Sequence, residues 1–145
     1  VTNMESLELA KNTVVGILKA GSKVEEHIGE VLKTFDISLQ QFNVLRILRG
    51  RKGKPANLQT VQKRMIHKMS NTTRLVDKLI IKKLVVRKTC KENRRKIELF
   101  ITAEGLAFLE QIDPVIDRAE EEMVGHLKED EKEKIVSLLK QLKFN

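Results

Sequence analysis

Apolar or small residues recur at Leu7, Ala10, Val14, Ile17, Gly21, Val24, Ile28, Val31 and Phe35, in alternating steps of three and four. Such steps keep a stripe on one side of an α-helix through successive heptads, so the pattern predicts a helix of about thirty residues. A helix that long outreaches one small domain, and its stripe is expected to meet other long helices, including those of a second subunit. The plainer alternative is an amphipathic helix covered by the chain's own core. Gly16, Gly21 and Gly29 weaken the helix, but a small residue on the stripe also lets a partner approach closely.

The period then shortens. In DISLQQFNVLRILRG, Ser38 is placed to cap a second helix, with Gln41 at the reciprocal capping position and Phe42, Leu45 and Leu48 facing inward, flanked by Val44 and Ile47. Gly50 ends it, and RKGKPA is a cationic loop. Asn57 is a good cap for a short helix carrying Leu58, Val61 and Met65 on one face. A turn is expected near Ile66 to Met69, followed by a helix capped by Ser70. On that helix Thr72, Leu75, Val76 and Leu79 face one way, and Ser70, Thr73, Arg74, Asp77, Lys78 and Ile81 the other. Two short helices in tight succession, the second with a hydroxyl-rich and cationic outer face, describe a helix-turn-helix.

LVVRKT and KIELFIT are β-rich segments joined by CKENRR, which predicts a two-stranded ribbon with a cationic tip. Strands packed on the helices with a free basic tip form a wing. After Thr102, a plausible cap, Leu109, Ile112, Ile116, Ala119 and Met123 again step by three and four, marking a second long helix. Pro114 within it is expected to kink or interrupt it. KEDEKEKIVSLLKQLKFN predicts a final amphipathic helix, with acids in its first turn, Lys140 and Lys143 in its last, and Ile135, Leu138, Leu139 and Leu142 buried.

Charge sharpens this layout. Residues 46–96 hold 18 Lys or Arg against two acids, Asp77 and Glu92, while the rest holds 10 against 18. A net of +16 in one third of the chain and −8 in the remainder produces the overall +8. Segregation of that kind suits a polyanion, because each cation placed on a phosphate releases condensed counterions. With 145 residues, 41% hydrophobic content and neither Trp nor Tyr, the chain is expected to be one helical domain and not an all-β sandwich. It lacks an apolar run of about 18 residues and a signal-peptide pattern, and a cytoplasmic location without membrane association is expected.

Catalysis finds no support: the sequence has no nucleophile elbow, Gly-rich phosphate loop or paired metal motif, and no cofactor is expected. His27, His67 and His126 form no compact ligand pattern, so no metal site is expected either. Cys90, the single cysteine, agrees with a reducing compartment. Neighbouring Lys88, Lys91 and Arg94 favour its thiolate, but the preferred reading is an incidental cysteine. Asp77, alone among cations, is expected to orient Arg74 or Lys78.

MSNTTRLVDKLIIKKLVVRK followed by NRRKIELFITAEG resembles the MarR family of winged helix-turn-helix transcriptional regulators, and the resemblance runs over nearly the whole chain. Recognition helix, wing and a closing Thr-x-x-Gly at family spacing make the match specific. It implies a mainly α fold with a small antiparallel β wing, residues 38–102 forming the DNA-binding region and 1–35 with 103–145 a helical dimerisation region of one domain. It further implies an obligate homodimer on an inverted-repeat double-stranded operator. Carried over by position, Thr73 and Arg74 fall where the family reads major-groove base edges, and Arg95 where a wing arginine enters the minor groove. Lys78 and Lys88 fall at phosphate contacts, and Ser70, Asn71 and Arg94 complete the expected DNA-facing set. The dimer seam is expected to include Leu7, Val14, Ile17, Ile116, Met123, Leu138 and Leu142. Two positions depart from the family: Asn93 replaces the acid that braces the wing arginine, and Lys83 stands where glycine follows the recognition helix, so the helix is expected to close differently. The functional expectation is a DNA-binding regulator, more often a repressor in this family, responsive to a small amphipathic or aromatic effector. Its rival is a non-enzymatic winged-helix module that docks on protein or coats DNA without sequence preference.

Overall fold

The computed structural model describes residues 3–145, so the first two positions of the expected 1–35 region lie outside the described residues. The order is α1 (Asn3–Lys33), α2 (Leu39–Gly50), α3 (Leu58–Arg64), α4 (Thr72–Ile81), β1 (Val85–Thr89), β2 (Ile97–Ile101), α5 (Ala103–Val124) and α6 (Glu129–Lys140). The two strands pair antiparallel, from Val85 opposite Ile101 to Thr89 opposite Ile97. Ala56 adds a short third rung, exchanging both backbone hydrogen bonds with Leu99.

One core joins these elements. Phe42, Val44, Leu45 and Leu48 of α2 meet Val61, Val76 and Leu79 of the two short helices, Leu99 of β2, Leu32 of α1, and Leu109, Ile112 and Ile116 of α5. Removing that apolar surface from water is the main stabilising term. Ile116 is 4% exposed. Its side chain is therefore consumed inside its own subunit, which corrects its assignment to the seam between subunits.

Local chemistry explains most boundaries. The Ser38 side chain accepts a hydrogen bond from the Gln41 amide while the Gln41 side chain accepts from the Ser38 amide, a complete capping box. Asn57 caps α3. The cap of α4 is Asn71, whose side chain accepts from the Arg74 amide, and not Ser70 as the sequence suggested. Thr72, the first residue of the helix, is buried on its inner face.

The Thr-x-x-Gly sequence is a junction. The Thr102 hydroxyl donates to the Lys83 carbonyl at 2.8 Å and accepts from the Gly105 amide at 2.9 Å, while the Thr102 amide donates to the Leu84 carbonyl at 3.0 Å. A Cβ at Gly105 would lie 2.4 Å from the Leu84 carbonyl oxygen, so only glycine lets α5 begin this close to the wing.

Three further expectations change. Of the expected kink or interruption at Pro114, the interruption does not occur: helix α5 continues through it, the ring removing one donor within a helix otherwise held by the core. Lys83 adopts a left-handed φ of 65°. The helix thus closes as a glycine would close it, with the Leu84 amide bonded to the Leu79 carbonyl and the Lys83 amide to that of Ile80. Helix α6 buries nothing: Ile135, Leu138, Leu139 and Leu142 are 40–52% exposed, and Lys143 lies beyond its end. The apolar pattern is present, but among the described residues nothing covers it. The same holds for the N-terminal part of the α1 stripe, where Leu7, Val14 and Ile17 are exposed while Ile28, Val31 and Phe35 pack on the core. Among the described residues no helix is long and apolar enough to cross a membrane.

Candidate nucleic-acid interface

Helix α4 buries Val76 and Leu79 completely. Period 3.6 then turns Thr73, Arg74, Asp77, Lys78 and Ile81 to solvent, where all five are exposed. Asn71 is exposed at the helix start and Ser70 is half-buried before it. Arg74 and Lys78 have no ion-pair partner among the described residues, so both cations remain available to an external anion. The amides of Thr72 and Thr73, in the first turn, add unsatisfied donors at the positive end of the helix dipole.

The wing tip is built by backbone. The Cys90 amide donates to the Lys96 carbonyl and the Lys96 amide to that of Asn93, both at 2.9 Å. The Asn93 side chain accepts from the Arg95 amide at 3.1 Å. Asn93 thus braces the loop through a neutral local turn, with no charge offered to the Arg95 guanidinium. Arg94 and Arg95 are exposed at this tip. Lys88, on β1, sets its ammonium 5.5 Å from the centroid of Phe100, a cation–π placement that holds its charge over the strand. Cys90 is half-buried in the tip.

Side-chain pairings that the sequence reading did not foresee tie this surface to the rest of the chain. Asp77 accepts from Arg87 of β1 at 2.6 Å, not from Arg74 or Lys78. The one acid on the outer face of α4 therefore ties that helix to the wing, and its charge is compensated where phosphate would otherwise be repelled. Asp113 of α5 receives both terminal nitrogens of Arg49, at 2.7 and 3.3 Å. His67, in the α3–α4 turn, lies 2.5 Å from Glu25 of α1. Scarcity of acids between residues 46 and 96 pointed towards Asp77; nothing in the sequence pointed towards partners 42 or 64 positions apart.

Beside this surface an open cleft of about 890 Å³ separates α1 from α2 and α4, lined by Glu25, Glu26, Ile37, Leu39, Leu75 and Lys78 among others. Among the described residues no three His, Cys, Asp or Glu side chains converge as metal ligands do.

Residues 37–97, from the entry to α2 through the wing tip, match the MarR family model. The HTH-type transcriptional regulator MhqR of Bacillus subtilis is 28% identical over 127 residues, covering 88% of this chain and 86% of the relative. A crystal structure of a MarR transcription factor from Planctomyces limnophilus superposes with a TM-score of 0.68 at 28% identity, covering 91% of this chain and 96% of that one. Staphylococcus aureus MepR, in its complex with DNA, gives a TM-score of 0.76 over 88% of this chain and 93% of its own, and at 21% identity shows the shared fold alone.

Proposed function

Because this chain belongs to the MarR family of DNA-binding transcriptional regulators, we propose that it acts as a homodimeric repressor that reads an inverted-repeat operator. The observation that carries the reading is the placement of two exposed chemistries on different elements. Free cations, Arg74 and Lys78 on α4 and Arg94 and Arg95 on the wing, serve phosphate and base edges. Uncovered apolar side chains, Leu7, Val14 and Ile17 on α1, Leu138 on α6 and Leu142 just past its end, serve a second copy. Met123, half-buried near the end of α5, borders that seam.

In this reading the N-terminal end of α4 enters the major groove. Thr73 and Arg74 contact base edges, Ser70 and Asn71 border them, Lys78 and Lys88 hold phosphates, and Arg95 follows the wing into the minor groove with Arg94 beside it. Residues 38–102 form the reading head, and the 1–35 and 103–145 helices form the frame. One head offers too little contact for specificity among competing genomic sites, and a two-fold frame supplies the second. Bound across an operator in the cytoplasm, the dimer represses by occlusion. A small amphipathic or aromatic effector in the cleft between α1 and α4 would touch frame and head together, and so bias their relative placement.

In vitro selection from random duplexes, paired with sedimentation, tests this. The expected result is a dimer that selects inverted half-sites with centres about 10 base pairs apart. Direct repeats would overturn the two-fold reading, and equal affinity for selected and random DNA would favour the nonspecific module.

A further inference from the structure

The α3–α4 turn carries the start of the recognition helix, yet its fastening to the rest of the molecule is sparse. Ile66, His67, Lys68 and Met69 are all exposed; only Met65, at 2% exposure, anchors the turn in the core. Its hydrogen bonds are nearly all local. The Ser70 amide donates to the His67 carbonyl, the Gln62 side chain to the Lys68 carbonyl, the Lys68 ammonium to the Lys63 carbonyl, and the Thr72 hydroxyl to the Gln62 side chain. Among the described residues one polar contact leaves this neighbourhood: His67 Nε2 to Glu25 Oε1, at 2.5 Å.

We propose that Glu25 and His67 are positioning residues, a strut between α1 and the turn that sets how the recognition helix sits on the frame and thereby the distance between the two heads of the dimer. The inference rests on the dimeric, inverted-repeat reading. Glu25 lies on α1 ahead of Ile28, Val31 and Leu32, which pack on the core, and it also lines the cleft. At the far end of α4, Lys82 reaches 3.8 Å from Asp36, just past the end of α1. The recognition helix is therefore tied at its start to α1 and at its end to the turn just past α1, where the Lys82 ammonium also donates to the Asp36 carbonyl. Both side chains of the strut are 44% exposed. A pair this wet adds little to stability, and its consequence is orientation: without it the turn is held by Met65 and bonds to itself.

The test uses the full-length chain and duplexes that carry the selected half-sites with spacers lengthened or shortened by one or two base pairs. For the wild-type protein a narrow spacer optimum is expected. In Glu25→Gln and His67→Ala the ratio of affinities for the best and next-best spacer should fall by about three- to fivefold, the range a surface pair can supply. His67→Lys, which places an ammonium opposite Glu25, should restore most of the ratio. Using a ratio cancels any uniform change in phosphate attraction, and a thermal midpoint measured alongside separates orientation from stability. Variants as selective for spacing as the wild type would overturn the strut, whatever their midpoints. A wild-type protein indifferent to spacing would instead overturn the dimeric reading, and the strut with it.

Discussion

The reading head and the helical frame use the same aliphatic residues in opposite ways. In the head, Val61, Val76, Leu79 and Leu99 are at most 1% exposed and the polar face carries free cations. In the frame, Leu7 is 71% exposed, Leu18 67% and Leu138 52%, on helices rich in acids. The head is finished as a single copy, whereas the frame leaves apolar area in water that one chain cannot cover. An apolar stripe of this extent marks an interaction surface. The acids outside residues 46–96 that reach the head, Glu25, Asp36 and Asp113, meet His67, Lys82 and Arg49 respectively.

The largest effect expected of this division is ionic. A dimer neutralising about eight phosphates should show a log–log salt slope of roughly −7, a loss of about four orders of magnitude between 50 and 200 mM salt. A slope shallower than about −2 would break the claim that the head is an electrostatic device. Next comes the frame. Leu138→Asp with Leu142→Asp places one carboxylate on the uncovered face of α6 and one just past its end, where a monomer would solvate them and a dimer would have to bury them. Sedimentation should show monomer, and operator affinity should fall towards the nonspecific level, by at least about a thousandfold. A double variant that stays dimeric would show that α6 lies outside the seam.

Within the head, reading and holding should separate. Arg74→Ala is expected to cost about 1–3 kcal/mol on the selected site and to relax preference at one base, whereas Lys78→Ala should weaken all sequences alike. Binding measured on selected and random duplexes decides it, and equal losses for both variants on both duplexes would mean that the N-terminal end of α4 does not face the bases.

How far the sequence disclosed this molecule depended on the range of the interaction. The Ser38–Gln41 box and the Asn57 and Thr102 caps are local chemistry at fixed offsets, and all are found. Period-3.6 patterning assigned the inner faces of α2 and α4, because a single core satisfies them. The same patterning could not say whether a stripe is covered within the chain. Ile116 and Leu138 carry identical periodic signals, yet one is 4% exposed and the other 52%. Pairing between distant side chains was invisible. Asp77 has Arg74 and Lys78 within a turn of its own helix, but the strand that follows brings Arg87 closer. Which nearby hydroxyl or amide caps α4 was equally undetermined, since Ser70 and Asn71 are both good caps and burial of Thr72 decides between them.

The smallest expected effect lies at two of the three joints where a helix is followed by a non-glycine residue in left-handed conformation, the third being Lys52 after α2. Helix α1 of the frame closes at Asp36, with φ 54°, and α4 of the head closes at Lys83, with φ 65°. The bonding is the same at both: the Ile37 amide reaches the Leu32 carbonyl and that of Asp36 the Lys33 carbonyl, as those of Leu84 and Lys83 reach Leu79 and Ile80. Side-chain chemistry differs. A short polar Asp tolerates this region, while a Lys carries the full penalty of its Cβ, roughly 1–2 kcal/mol. Glycine removes that penalty but costs about 0.4–1 kcal/mol through the freedom it gives the unfolded chain. Lys83→Gly should therefore gain up to about 1 kcal/mol and raise the melting midpoint by about 2–4 °C. Asp36→Gly has less strain to relieve and the same entropic cost, and should leave the midpoint unchanged or slightly lower. Calorimetry on the two variants reads the difference directly, and a midpoint that falls in Lys83→Gly would mean that the contacts Lys83 makes in this turn outweigh the strain of holding it there.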